Sequence, residues 1–345
     1  MIRVLVVDDS AIVRKILTDK LNADPGIQVI GAAPDPYYAR EMIAKEKPDV
    51  ITLDIEMPRM NGLTFLKKLM THCPIPVVIV SSLSVKGSQT AMTAIDYGAI
   101  EVLAKPSTAY SLDDMADEIV MKVKAAAAAK VHKLQVKTGP IKQHKLTETT
   151  HRIVAIGAST GGTKALEAVL KTLPSNAPGI VIVQHMPAGF TKSFADRLND
   201  QCAVQVIEAQ GGETVLPGRV IIAQGDRHMM LTHTGVNYEV KIKNAPRVSR
   251  HRPSVDVLFH SVAKVAGKNA VGVIMTGMGS DGAQGLLAMK EAGAPTIAQD
   301  EESCVVFGMP KEAIATGAVD HVVPLNKIPM EMCNHACAKR SKVSR

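Results

Sequence analysis

Seven short apolar runs in this chain each stop at a residue able to do chemistry, and that repeated ending constrains the fold more than any other feature. Val4-Leu5-Val6-Val7 stops at Asp8-Asp9, Val50-Ile51-Thr52-Leu53 at Asp54, Val77-Val78-Ile79-Val80 at Ser81-Ser82, and Ile100-Glu101-Val102-Leu103-Ala104 at Lys105-Pro106. Further on, Ile153-Val154-Ala155-Ile156 runs into Gly157-Ala158-Ser159-Thr160-Gly161-Gly162, and Ile180-Val181-Ile182-Val183 into Gln184-His185-Met186-Pro187. Val271-Gly272-Val273-Ile274-Met275 runs into Thr276-Gly277-Met278-Gly279-Ser280-Asp281-Gly282. Runs of this length and composition suit strands buried on both faces of a parallel sheet covered by helices. In such sheets, ligands and reactive groups gather outside the carboxyl ends of the strands. The chain is therefore expected to be an α/β protein with two active edges.

A length of 345 residues suggests about two domains. Aromatic residues make up only 3%, with no Trp, so the cores must be built from Ile, Val, Leu, Ala and Met. The first apolar run meets Asp8-Asp9 too early for a signal peptide, and no run approaches the roughly 20 residues of a membrane span. The expectation is a cytoplasmic protein without membrane insertion. Five scattered cysteines read as free thiols of a reducing compartment. Cys333 and Cys337 lack the second ligand pair expected of a zinc site. The net charge of +7 belongs to one segment: Met121 to Arg152 holds eight Lys/Arg and a single acidic residue. It marks a solvated linker and gives no domain face for nucleic acid.

The first 125 residues alternate strands (near 3–7, 27–33, 49–53, 76–81 and 100–104) with helices (near 11–22, 36–46, 62–71, 87–97 and 110–130). Five βα units predict a doubly wound sheet whose edge gathers Asp8, Asp9, Asp54, Ser81 and Lys105. Three carboxylates packed together repel, and a hard divalent cation such as magnesium relieves them. Acids that merely cap helices would account for Asp9 but leave Asp54 and Lys105 unexplained. After a polar linker, strand–helix alternation returns from residue 152. A less regular stretch, 202–250, reads as short antiparallel strands and turns.

In that rear part, Gly157-Ala158-Ser159-Thr160-Gly161 fits G-x-S-x-G between a strand and a helix, the setting of a nucleophile elbow. A Gly-rich phosphate loop is the competing reading of the same residues, although no Gly-Lys-Ser/Thr completes it. Of eleven histidines, His185 alone ends the strand following that of Ser159, and successive strands are usually neighbours. Asp281, among Gly277, Gly279 and Gly282, would hold the imidazole, and the amide of Met278 would face an oxyanion. The order Ser, His, Asp differs from that of α/β-hydrolases, which makes the elbow convergent.

The front residues together resemble a receiver domain of two-component signalling, a family with flavodoxin-like topology. The resemblance implies Asp54 as phosphoacceptor, Asp8, Asp9 and Asp54 around magnesium, Ser81 as switch hydroxyl and Lys105 as phosphoryl partner. Val102 stands where many receivers carry a switch aromatic. The rear motifs, with His251-Arg252-Pro253-Ser254-Val255-Asp256, look like those of the chemotaxis protein-glutamate methylesterases. Ser280 stands where Asn is common in that family. This resemblance implies a receiver (1–125), a basic linker (126–150), a doubly wound, mainly parallel methylesterase domain (151–327) and a polar tail (328–345). It also implies a phosphorylation-activated serine hydrolase with Ser159, His185 and Asp281 as catalytic residues and no cofactor at the esterase site. Such an enzyme acts on glutamyl methyl esters and particular glutamines of chemoreceptor cytoplasmic helices, with a chemotaxis histidine kinase as phosphodonor. The rival expectation is a receiver-regulated nucleotide-binding or DNA-binding response regulator.

Overall fold

A computed structural model describes residues 1–82, 84–105, 112–129 and 152–337. The chain divides into two compact units, Met1–Thr138 and Gly139–Arg345. The expected linker falls largely outside the described residues.

The first unit alternates β1 (Ile2–Val7), α1 (Ala11–Asn22), β2 (Ile27–Ala33), α2 (Pro36–Lys45), β3 (Val50–Asp54), α3 (Gly62–His72), β4 (Val77–Ser81), α4 (Val85–Asp96), β5 (Glu101–Ala104) and α5 (Leu112–Ala128). All five strands are parallel, in the order β2-β1-β3-β4-β5, the flavodoxin-like arrangement. β3, β4 and β5 are buried along their whole length, as runs without alternation require. Val4, Val6, Val50, Val78, Val80 and Leu103 pack with Leu17, Leu21, Ile119 and Val123 of the covering helices. Local chemistry starts the helices. Ser10 Oγ accepts from the Val13 N–H, Asp35 Oδ1 from the Tyr37 and Tyr38 N–H, and Asn61 Oδ1 from the Leu63 N–H.

The second unit runs β6 (Ile153–Ala158), α6 (Gly162–Leu170), β7 (Gly179–Gln184), α7 (Phe190–Gln201), β8 (Gln205–Glu208), β9 (Arg219–Ile222), β10 (His228–Thr234), β11 (Asn237–Lys243), α8 (Val255–Val265), β12 (Ala270–Ile274), α9 (Ala283–Glu291), β13 (Thr296–Gln299), α10 (Met309–Ala315), β14 (His321–Val323) and α11 (Ile328–Cys337). Seven strands form one parallel sheet in the order β14-β13-β12-β6-β7-β9-β8. The chain starts in the middle at β6, builds outward through β7, and returns to add β12 on the other side. β6 is thus the topological switch point, flanked by β7 and β12. Leu258, Phe259 and Val262 of α8 and Leu286 and Met289 of α9 fill the core on one face.

Two expectations change. The stretch 202–250 is not wholly antiparallel: β8 and β9 join the main sheet in parallel, and only β10 and β11 form an antiparallel hairpin. Buried Val206 and Val220–Ile222 suit the sheet, whereas β11 alternates with exposed residues. The segment read as a polar tail from 328 begins with α11, which buries Ile328, Pro329, Met332, Cys333 and Ala336. Its polar residues occupy the other positions of an amphipathic helix. Burial also pushes the Cys333 thiol up to about 12, which leaves it inert.

Candidate active site

Ser159, His185 and Asp281 extend from β6, β7 and β12, three adjacent strands. The β6–β7 register pairs Ala158 with Gln184, and the His185 N–H donates to Ala158 O at 3.1 Å, so Ser159 and His185 leave the sheet side by side. Ser159 is held by its main chain. Its N–H donates to Thr276 O (3.0 Å), and its carbonyl accepts from the Gly162 N–H (2.6 Å) and Gln184 Nε2 (2.9 Å). The turn into α6 needs glycine at 161, where φ is +77° and a Cβ would stand 2.5 Å from the Val305 Cβ.

His185 Nε2 meets Asp281 Oδ2 at 2.8 Å. His185 Nδ1, the other ring nitrogen, is buried and makes no hydrogen bond. A base pinned at one nitrogen and open at the other is what general-base catalysis asks of a triad histidine. Asp281, 1% exposed, sits at the start of α8. Its Oδ2 also accepts from the Val255 N–H (2.8 Å), and its Oδ1 accepts from Ser254 Oγ (2.8 Å) and the Asp256 N–H (3.1 Å). Burial alone would raise its pKa, but His185 and the Asp256 and Val255 N–H groups outweigh burial and hold the carboxyl well below the usual range. Neighbouring Asp256 is pushed the other way, by burial first and then by the Asp281 charge, despite accepting from the Gly285 N–H at 2.7 Å. The two carboxyls are thus shifted in opposite directions, Asp281 down and Asp256 up.

Met278 lies in the β12–α9 loop, 37% exposed, between Gly277, whose N–H donates to Val306 O (3.1 Å), and Gly279 at φ +90°. Several residues that build the site carried no assigned role in the sequence. Ser254 both caps α8 and holds Asp281. The ring of His251 stacks on that of His185, with centroids 3.7 Å apart and planes within 5°. Buried His228 accepts from the Ser254 N–H at Nδ1 (3.2 Å) and meets Pro246 O through Nε2 (2.9 Å). A serine just before the amphipathic run Val255–Val265 was a legible cap. Nothing local signals the histidines' contacts.

In the first unit, Asp8, Asp54, Ser81 and Lys105 meet at the carboxyl edge of the sheet, with exposed Asp9 beside them. Lys105 Nζ forms ion pairs with Asp54 Oδ2 (2.8 Å) and Asp8 Oδ2 (3.0 Å). Both oxygens are buried. Burial pushes Asp54 up to about 6 against the pull of Lys105. Burial lowers Lys105, but Asp54 and Asp8 outweigh it and raise the lysine overall. One carboxylate oxygen from each of Asp8, Asp9 and Asp54 falls within 4.8 Å of the others. Three carboxylates facing one ammonium leave net negative charge and buried oxygens, a donor set that fits magnesium. Ser81 Oγ donates to Gly87 O at 3.3 Å.

A family model described as CheB methylesterase matches residues 154–332, and one described as response regulator receiver domain matches 4–117. A protein of Anaeromyxobacter dehalogenans (strain 2CP-C), named protein-glutamate methylesterase/protein-glutamine glutaminase 4, is 56% identical over 334 residues, spanning 96% of this chain and 94% of that one. The chain belongs to the CheB methylesterase family. Another relative, the protein-glutamate methylesterase/protein-glutamine glutaminase of Salmonella choleraesuis (strain SC-B67), is 53% identical over 335 residues and spans 96% of each chain. The crystal structure of the Thermotoga maritima CheB methylesterase catalytic domain superposes with a TM-score of 0.52 at 42% identity, covering 54% of this chain and 99% of that domain. The rear unit of a family member is a methylesterase domain, so the rival of a nucleotide- or DNA-binding output has no support. Among the described residues, no helix is long and apolar enough to cross a membrane.

Proposed function

We propose that this chain is a phosphorylation-activated serine hydrolase that demethylates glutamyl methyl esters on chemoreceptor cytoplasmic helices and deamidates particular glutamines there. The observation that carries the reading is the His185–Asp281 hydrogen bond at the ends of strands adjacent to that of Ser159.

Ser159 Oγ attacks the side-chain carbonyl carbon of the ester, and its proton passes to His185 Nδ1. Asp281 keeps the other ring proton on Nε2 and stabilises the imidazolium that forms. The oxyanion is met by backbone N–H groups, with Met278 and Thr160, the residue after the nucleophile, as the proposed donors. Collapse breaks the C–O bond, and methanol leaves with the proton from His185. A water gives its proton to His185 and attacks the acyl-enzyme; the second collapse returns the proton to Ser159 Oγ and releases glutamate. A glutamine follows the same path, with ammonia leaving in place of methanol.

In the receiver, Asp54 accepts the phosphoryl group, Lys105 pairs with it, and the Ser81 hydroxyl turns toward it. Asp8, Asp9 and Asp54 would hold magnesium, which supplies positive charge to the incoming phosphoryl group. A chemotaxis histidine kinase is the proposed phosphodonor, and the cytoplasm the proposed compartment. The test is methanol release from methylated receptor, with and without a small phosphodonor, together with fluorophosphonate labelling at Ser159. A protein that releases no methanol and takes up no label is not this enzyme.

A further inference from the structure

We infer that His251 is a positioning residue for the catalytic base, holding the ring plane of His185 through its stacked face; this rests on the hydrolase reading above. The Asp281 hydrogen bond fixes Nε2 of His185, and the main chain fixes its Cβ. That bond still tolerates a small coupled rotation about χ1 and χ2, and it swings Nδ1, the atom that must meet the Ser159 proton. A hydrogen bond at one nitrogen does not stop that rotation. A flat ring 3.7 Å away and within 5° of parallel does.

The turn that delivers His251 is built against local preference. Val248 and His251 close it with reciprocal main-chain hydrogen bonds of 3.0 and 2.8 Å, and its two central residues, Ser249 (φ +51°) and Arg250 (φ +67°), are both left-handed without being glycine. Two-residue turns of that kind ordinarily use Asn-Gly. Ser249 and Arg250 are exposed, so core packing does not demand the conformation. Ties on both sides hold it instead. Arg252 donates to Asp226 Oδ1 (2.6 and 2.9 Å) and Ala245 O (2.9 Å), and His228 Nε2 meets Pro246 O (2.9 Å). Strain kept in place by its surroundings gathers at functional sites. What this turn accomplishes is to lay His251 on His185.

The test uses full-length protein and two substitutions with opposite chemistry. His251→Phe keeps a flat face without polar atoms; His251→Gln keeps polar atoms without an aromatic face. Each is assayed for kcat and KM in methanol release and for the rate of fluorophosphonate labelling at Ser159, with a thermal melt to verify folding. His251→Gln should lose about tenfold in both kcat and labelling rate with KM nearly unchanged, and His251→Phe should stay within about threefold of the unaltered protein. A His251→Gln protein as fast as the unaltered one, or a folded His251→Phe protein as slow as His251→Gln, overturns the inference while leaving the hydrolase reading intact. A change confined to KM overturns it too, because it assigns His251 to substrate binding. If the unaltered protein neither labels nor hydrolyses, the hydrolase reading falls and this inference falls with it.

Discussion

Ser254 Oγ donates to Asp281 Oδ1 at 2.8 Å while accepting from the Val257 N–H at 3.4 Å, so the residue that starts α8 also anchors the carboxylate of the proposed triad. Helix start and active site are therefore one structure. Ser254→Ala should cost about 1–2 kcal/mol of stability through the lost cap and hydrogen bond. It should also slow ester hydrolysis by roughly tenfold, since Asp281 keeps its main-chain donors. A melting curve and a methanol-release assay on the same sample check both halves.

The triad residues should behave as a unit. Ser159→Ala, His185→Ala and Asp281→Ala are each expected to reduce kcat on the order of 10³-fold or more, and the double variants to lose little further. Near-normal hydrolysis by Ser159→Ala would remove the nucleophile from the mechanism.

Asp281 also sets a pH dependence of stability. Its folded pKa lies below the ordinary value of 3.8: burial raises it, but His185 and the Asp256 and Val255 N–H groups outweigh burial. A depressed carboxyl contributes its full stabilisation above the unfolded pKa and loses it as the pH falls toward the folded one. The stability gap between the unaltered protein and Asp281→Asn should hence narrow as the pH falls below about 4. Melting of the rear unit between about pH 5 and pH 3 measures it; a gap that widens as the pH falls through that range contradicts the assignment.

Gly277 is pressed against Ser159, the proposed nucleophile. A Cβ there would stand 2.7 Å from the Ser159 Cβ and 2.3 Å from Met309 Sδ. The methionine end can swing away, but Ser159 can yield only by moving. Gly277→Ala should lower kcat on the order of 10²-fold, the usual cost of a misplacement near 1 Å. Its fluorophosphonate labelling rate should fall in parallel, which separates displacement of Ser159 from a loss of receptor binding.

Asp54 belongs to a different compact unit from the triad. Asp54→Ala should abolish stimulation by a phosphodonor with magnesium and retain basal esterase activity. Stimulation that survives the substitution would mean that the phosphoryl group goes elsewhere.

What the sequence alone determined were the local signals. Apolar runs of four or five residues leading to Asp8, Asp54, Ser81, Lys105, Ser159, His185 and Asp281 announced parallel strands, and all of those residues but Asp281, which lies in the loop between β12 and α9, stand at strand ends in the fold. A strand buried on both faces must be apolar throughout and must show its chemistry only where it leaves the sheet, so this part is written residue by residue. The tertiary structure decided what depends on pairing across long separations. That β12 lies beside β6, more than a hundred residues earlier, brings Asp281 to His185. The start of α8 lands on Asp281, His251 stacks on His185, β8 and β9 pair in parallel, and α11 buries a face of what read as a tail. No local period encodes these contacts. They follow from which strands share an edge and which side chains then have a neighbour to meet, and that is settled only when the whole sheet closes.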